Sequence, residues 1–206
     1  MTRTVSVWPF VAAMASVVVA SNFLVQFPFR HFGLQDILTW GAFTYPLAFL
    51  VNDLTNRRYG PAAARKVVYA GFAIAVALSV WLATPRIAIA SGSAFLTAQV
   101  LDVFVFDRLR ERRWWIAPLT GSVIGSVVDT LLFFSLAFAD RFAFLDTGLG
   151  REDASLGFAV PFVLGGGEVP LWVSLAFGDF CVKMLLSVLM LVPYGALLNV
   201  IRPVRA

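Results

Sequence analysis

Residues 116–139 read IAPLTGSVIGSVVDTLLFFSLAFA, an apolar run broken by one ionisable group, Asp129. About 20 mostly apolar residues suffice for a helix to cross a bilayer, so this stretch reads as a transmembrane helix carrying a carboxylate within it. Strand is the poorer reading. Neither Val17-Val18-Val19 nor Ala73-Ile74-Ala75-Val76-Ala77-Leu78 alternates in polarity as a membrane barrel strand must. Ahead of Asp129, the small residues Gly121, Ser122, Gly125 and Ser126 form a ladder that lets neighbouring backbones approach closely and fixes where the carboxylate points.

Working outward, similar apolar runs occupy residues 8–27, 37–52, 67–83, 87–106 and 171–201. The connections between them are too short for a second folded domain. The expected fold class is therefore all-α: a polytopic membrane helical bundle with six transmembrane helices, formed by residues 1–206 as one unit. Composition agrees, at 60% hydrophobic and 14% charged with a mean hydropathy of +0.84, where soluble domains sit near ~45–50% and ~25%. A soluble domain, a disordered chain and a disulfide scaffold are excluded, the last because Cys181 is the only cysteine. The first run reads as a retained helix, since it is long for a signal peptide and carries Asn22 and Gln26 near its end. The longest connection, 140–170, holds a short apolar piece at 158–164 that suits an interfacial or re-entrant segment, followed by Gly165-Gly166-Gly167 as a flexible joint.

Orientation follows from the basic residues in short loops. Arg3, Arg57, Arg58, Arg65, Lys66, Arg108, Arg110, Arg112, Arg113, Arg202 and Arg205 fall on one side. Arg30, Arg86, Arg141 and Arg151 fall on the other, diluted by Asp36, Asp140, Asp146, Glu152, Asp153 and Glu168. The bias puts both termini in the cytoplasm. It also accounts for the net charge of +4 through topology and attraction to anionic membrane lipids, so no nucleic-acid partner is implied.

Ionisable groups inside a bilayer normally face the bundle interior and mark a pathway or site. Asp102, Asp129, Asp179 and Lys183 qualify, while Asp53 closes the second span at the cytoplasmic boundary, within reach of water. Asp179 and Lys183 are four apart and share a helix face, so they can pair, if only to make the span insertable. That leaves Asp102 and Asp129 to be protonated, hydrated in a cavity or paired with a ligand. The amides Asn22, Gln26, Gln99 and Asn199 either hydrogen-bond between helices or recognise a planar ligand. Pro46 and Pro193 interrupt their spans and free carbonyls. Trp114-Trp115 reads as an interfacial belt. Ala12, Ser16 and Ala20 form a stripe suited to internal packing or, alternatively, to docking a partner. No Walker A sequence is present, and His31 and Cys181 are the single residues of their kinds, so neither a metal site nor another cofactor is expected. An enzyme is not expected either; Cys181 beside Lys183 is the one place for a nucleophile.

Several runs together become familiar: Ser21-Asn22-Phe23-Leu24-Val25-Gln26, Thr39-Trp40-Gly41-Ala42-Phe43, Phe49-Leu50-Val51-Asn52-Asp53-Leu54-Thr55, Ala98-Gln99-Val100-Leu101-Asp102, Arg113-Trp114-Trp115, Asp129-Thr130-Leu131 and Asp179-Phe180-Cys181-Val182-Lys183. In this order they resemble the queuosine precursor transporter family, a vitamin uptake transporter family, over nearly the whole chain. The connection 140–170 departs from the pattern in its length and its triple glycine, which bears on the outer entry path and leaves the core unaffected. The resemblance implies a multi-pass protein of the bacterial inner membrane that imports the deazaguanine bases preQ0 (7-cyano-7-deazaguanine) and preQ1 for salvage into tRNA queuosine. It implies a secondary carrier or facilitator without its own ATPase, and leaves proton coupling and a homo-oligomer open. The alternative is a substrate-binding subunit of an energised vitamin or nucleobase uptake system. A guanine-like edge presents two parallel N–H donors, which a carboxylate accepts bidentately. Asp102, Asp129 or Asp179 would take that edge, with Gln99, Asn22 or Lys183 on the acceptor edge, and Gln26 and Asp53 complete the candidate site.

Overall fold

The computed structural model describes residues 6–31, 38–162, 165–201 and 203. Arg3, Asp36, Ile37, Arg202 and Arg205, which enter the charge count and the start of the second span, lie outside the described residues, as do positions 163 and 164. The described chain is nearly all helical: α1 (Trp8–Leu24), α2 (Gly41–Thr44), α3 (Pro46–Tyr59), α4 (Pro61–Leu82), α5 (Pro85–Leu109), α6 (Ile116–Phe138), α7 (Phe144–Thr147), α8 (Leu171–Leu189) and α9 (Leu191–Leu197). Proline stands in the first turn of α1, α3, α4 and α5, where its missing N–H would have had no intrahelical partner. Between α3 and α4 the chain turns at Gly60, whose φ of 85° favours glycine.

Four segments among the described residues are long and apolar enough to cross a membrane: Pro61–Ser79, Pro85–Leu109, Ile116–Phe138 and Leu171–Leu197. Helix α1 is apolar but shorter. The expected second span differs most. It breaks at Tyr45, ahead of Pro46, into α2 and α3, and α3 then runs beyond Asn52 to Tyr59. Pro46 has no N–H to continue the ladder. The polar residues of α3 stay in the helix because they turn inward, with Asn52 and Asn56 donating to the main-chain oxygens of Gln99 and Val103 on α5 at 3.1 Å each. The last span likewise breaks at Met190, because Pro193 cannot donate to the carbonyl of Leu189.

Helix α3 lies inside the bundle, touching α1, α4, α5, α6 and α8, while α5 and α6 form the most extensive helix pair. Met14, Val18, Ala48, Val67, Val68, Phe95 and Val103 build one apolar core. Leu54, Phe106, Ala117 and Tyr194 build a second, nearer the basic loops. The small-residue ladder of α6 serves the close approach: a Cβ on Gly125 would meet the Phe49 ring and the carbonyl oxygen of Ala98, and one on Gly121 would meet Asp102.

Within the connection 140–170 the described part of the short apolar piece enters a β-hairpin. Residues Ala159–Pro161 (β1) pair antiparallel with Glu168–Pro170 (β2), and Gly165, Gly166 and Gly167 adopt φ of 79°, 94° and 137° in the turn. Exposure alternates from Ala159 to Phe162 as in a strand, and the glycines supply the left-handed turn. Arg86 anchors this region. The sequence reading put it in an outer loop, yet its side chain is fully buried. It donates to Asp146 at 2.9 Å, Ser155 at 3.0 Å, Asp153 at 3.3 Å and the main-chain oxygens of Leu136 and Ala139 at 2.8 and 2.6 Å. Such a full set of acceptors is what makes a buried guanidinium tolerable.

Candidate functional site

A cavity of about 510 Å³ opens between α1, α2, α4, α5, α6 and α8. Lys183 sits at its floor with Nζ 2.6 Å from Oδ2 of Asp129 and 2.5 Å from Oδ2 of Asp179. The expected pair of Asp179 and Lys183 is therefore present, and Asp129 joins it from α6. Thr130 donates to Asp179 at 3.0 Å, and the Tyr45 hydroxyl donates to the other oxygen of Asp129 at 2.8 Å. The Lys183 ammonium also stands 5.2 Å from the centre of the Tyr45 ring, within cation–π range. Two carboxylates against one ammonium leave the triad one negative charge in excess, so it favours a cationic or N–H-rich ligand.

Of the three side chains, Asp179 is the most open, at 14% exposed against 6% for Asp129 and 4% for Lys183. Asn22 and Gln26 line the same cavity from α1, although Asn22 donates back to Val18 at 2.9 Å and Gln26 to Asn22 at 3.3 Å. Phe95, Phe133, Phe134 and Phe138 supply flat apolar walls. A cavity of this size with apolar walls and a few convergent polar groups has the form of a small-molecule site.

Asp53, Gln99 and Asp102 do not line that cavity. They form a second, dry cluster in which Asn52 donates to Oδ2 of Asp102 at 2.8 Å. Asp53 is 2% exposed, so it does not meet water at a boundary; α3 carries it into the bundle in mid-helix. Asn199 is exposed just beyond the end of α9 and does not line the cavity. Cys181 is exposed on the face of α8 opposite Lys183, so the two do not form a reactive pair. The stripe on α1 does not pack internally, because Ala12 and Ser16 are exposed and Met14 and Val18 turn inward instead. Nor is the interior charge limited to the four groups expected, since Arg86, Asp146 and Asp53 are buried as well.

Tyr45, Thr130, Asn52 and Arg86 are the participants that sequence reasoning missed as site or anchor residues. Tyr45 had one local signal: it precedes Pro46, where a helix must break and a side chain can turn into the bundle.

Long apolar helices around a polar, charged cavity define a multi-pass membrane transport protein. A model of the putative vitamin uptake transporter family matches residues 39–197. The chain is 35% identical to the queuosine precursor transporter of Escherichia coli (strain K12), over 90% of this chain and 83% of that protein. It is 32% identical to the probable queuosine precursor transporter of Haemophilus influenzae, again over 90% and 83%. A probable queuosine precursor transporter of Bacillus subtilis (strain 168) is 28% identical over 58% of this chain and 64% of its own length. No solved structure matches. The chain belongs to the queuosine precursor transporter family.

Proposed function

We propose that this protein imports a deazaguanine base, preQ0 or preQ1, across the bacterial inner membrane for salvage into tRNA queuosine. The observation that carries this reading is the Asp129–Lys183–Asp179 triad at the floor of a cavity of about 510 Å³. Asp179, the most open carboxylate, accepts the ring N–H and exocyclic amine of the base bidentately. Lys183 faces the carbonyl edge, and Phe133, Phe134 or Phe95 stacks on the ring. The aminomethyl cation of preQ1 suits the excess negative charge of the triad.

The chain acts as one transport unit that crosses the membrane six times with both termini in the cytoplasm. Two contacts support this topology. Tyr59, beside the basic loop 57–66, donates to the main-chain oxygen of Ser6 at 3.0 Å, and Tyr194 stacks on Trp114 beside the basic loop 108–113. Both ends of the described chain thus lie with the basic loops. Lipids are its surroundings, and its carrier cycle has no ATPase of its own.

The test is queuosine in tRNA of cells that cannot make the precursor, supplied with preQ0 and carrying D129N, D179N or the double substitution D129N/K183M. Loss of queuosine in the three variants at wild-type expression supports the site; wild-type levels in all three reject it. A second reading, a substrate-binding subunit of an energised system, is favoured by the outward Ala12 and Ser16 on α1, a small-residue face that another helix can approach. Transport by the purified protein alone in liposomes excludes that reading.

A further inference from the structure

Beyond the cavity, a second set of buried polar groups has no role in holding the substrate. Asp53 lies about one and a half helical turns beyond Ala48 on α3, and Asp102 about two beyond Phe95 on α5, the cavity residues of those helices nearest the basic loops. Asp53 is 2% exposed; Asp102, Asn52 and Gln99 are 0% exposed. The amide of Asn52 donates to Oδ2 of Asp102 at 2.8 Å and to the main-chain oxygen of Gln99 at 3.1 Å, which holds the three residues together. Among the described residues, the acceptor oxygens Asn52 Oδ1, Asp53 Oδ1, Asp102 Oδ1 and Gln99 Oε1 all lack a donor. The unpartnered groups able to donate are Gln99 Nε2, Nε of Arg58 and Arg110, and the hydroxyls of Ser126, Ser174 and Tyr194, and none of them is bonded to Asp53 or Asp102. Buried polar groups in native proteins are almost always satisfied, and a buried carboxylate needs a positive partner or a proton.

No basic side chain supplies it. Among the described residues neither Asp53 nor Asp102 has a cation within ion-pair distance. On α3, Arg57 donates to the main-chain oxygen of Arg110 at 3.3 Å; on α5, Arg110 donates to Asn56 at 2.5 and 2.9 Å. On α8, Lys183 is held by Asp129 and Asp179. On α9, Tyr194 lies within the fields of Asp53, Asp102, Arg57 and Arg110. Space for a water molecule adjoins Asp53. A water-sized void is lined by Asp53, Ser122, Ser187 and Tyr194, and Ser187 donates to the main-chain oxygen of Lys183 at 2.8 Å, one turn along α8.

We propose that Asp53 and Asp102 form a proton-binding site, separate from the substrate cavity, that couples import to the proton gradient. This rests on the transport reading above. A proton from the outer side adds to one carboxylate oxygen, turning an acceptor into an O–H donor for its neighbours. The same O–H bond breaks when the site opens to the cytoplasm, so each cycle carries one proton inward and leaves the carboxylate restored.

The experiment uses purified protein in liposomes with labelled preQ0, measured in two ways: exchange against unlabelled preQ0 inside, and accumulation driven by an alkaline interior. D53N and D102N, which mimic the protonated acid, retain exchange and lose gradient-driven accumulation, whereas D179N loses both. Accumulation at the wild-type level in D53N and D102N overturns the proposal, as does loss of exchange in variants that elute as monodisperse protein. Wild-type accumulation that ignores the proton gradient, or that answers only to sodium, overturns it too. Should the variants fail to fold, wild-type liposomes with a trapped pH dye decide: preQ0 entry must acidify the interior. Absence of any preQ0 exchange by the wild type instead rejects the transport reading itself.

Discussion

The Tyr45 hydroxyl donates to Oδ1 of Asp129 at 2.8 Å, from the break between α2 and α3 to the middle of α6. With Lys183 on the other oxygen, each oxygen of Asp129 already accepts from a protein group, and the phenol helps fix where the carboxylate points. Y45F keeps the ring, its edge contacts to Phe49 and Phe95 and its contact with Lys183, and deletes one hydrogen bond to a charged acceptor. A bond of that kind contributes about 1.5–3 kcal/mol. The unfolding temperature in detergent is expected to fall by roughly 3–12 °C, at about 2–4 °C per kcal/mol for a chain of this size. No change in thermal unfolding would show that the phenol is idle.

Removing Lys183 leaves two carboxylates without their countercharge. Breaking a buried ion pair from one side costs about 3–5 kcal/mol, so K183M is expected to give little folded protein. Adding D129N to K183M returns the triad to a single negative charge and should recover folded yield without recovering uptake. Fluorescence-detected size exclusion of a tagged protein separates the two effects. Equal yields from the single and double variants would mean that charge balance does not govern folding here.

Arg86 ties the start of α5 to the end of α6 and to the connection 140–170. R86A strands Asp146, which is 1% exposed, and is expected to open the connection to protease added from outside. D153A should change little, since that carboxylate is half exposed. The acidity of Asp153 points the same way. Donation from the Ser155 hydroxyl and main-chain N–H, and then the Arg86 charge, hold its carboxyl below the usual carboxylate range. A lowered value in the folded state means the contact is intact at neutral pH and is lost only as pH falls through that lowered value. Protease protection of the connection should therefore persist at pH 6; its loss there would contradict the assignment.

Helix α8 was the most legible part of the site, because Asp179 and Lys183 are four apart and a helix puts such residues on one face whatever surrounds it. Asp129 was legible as an interior carboxylate, and the ladder of Gly121 and Gly125 correctly marked a close helix contact. Its partners were not legible, since Tyr45 and Lys183 lie 84 and 54 positions away. Arg86 was misread because its position between two apolar runs is that of a loop residue, and only the return of the connection 140–170 supplies the acceptors that bury it.

The sequence by itself determined that this chain lives in a membrane as helices, where its basic loops gather, and which charges must find polar surroundings, because hydropathy and local spacing act within a segment. Only the tertiary structure decided that those charges divide into a triad lining the cavity and a buried acidic pair outside it. In a bilayer a helix can be apolar on every side, so no amphipathic stripe tells which face meets lipid and which meets its neighbours. The rotation of each helix, and with it the company of each carboxylate, is set by packing between segments distant in the chain.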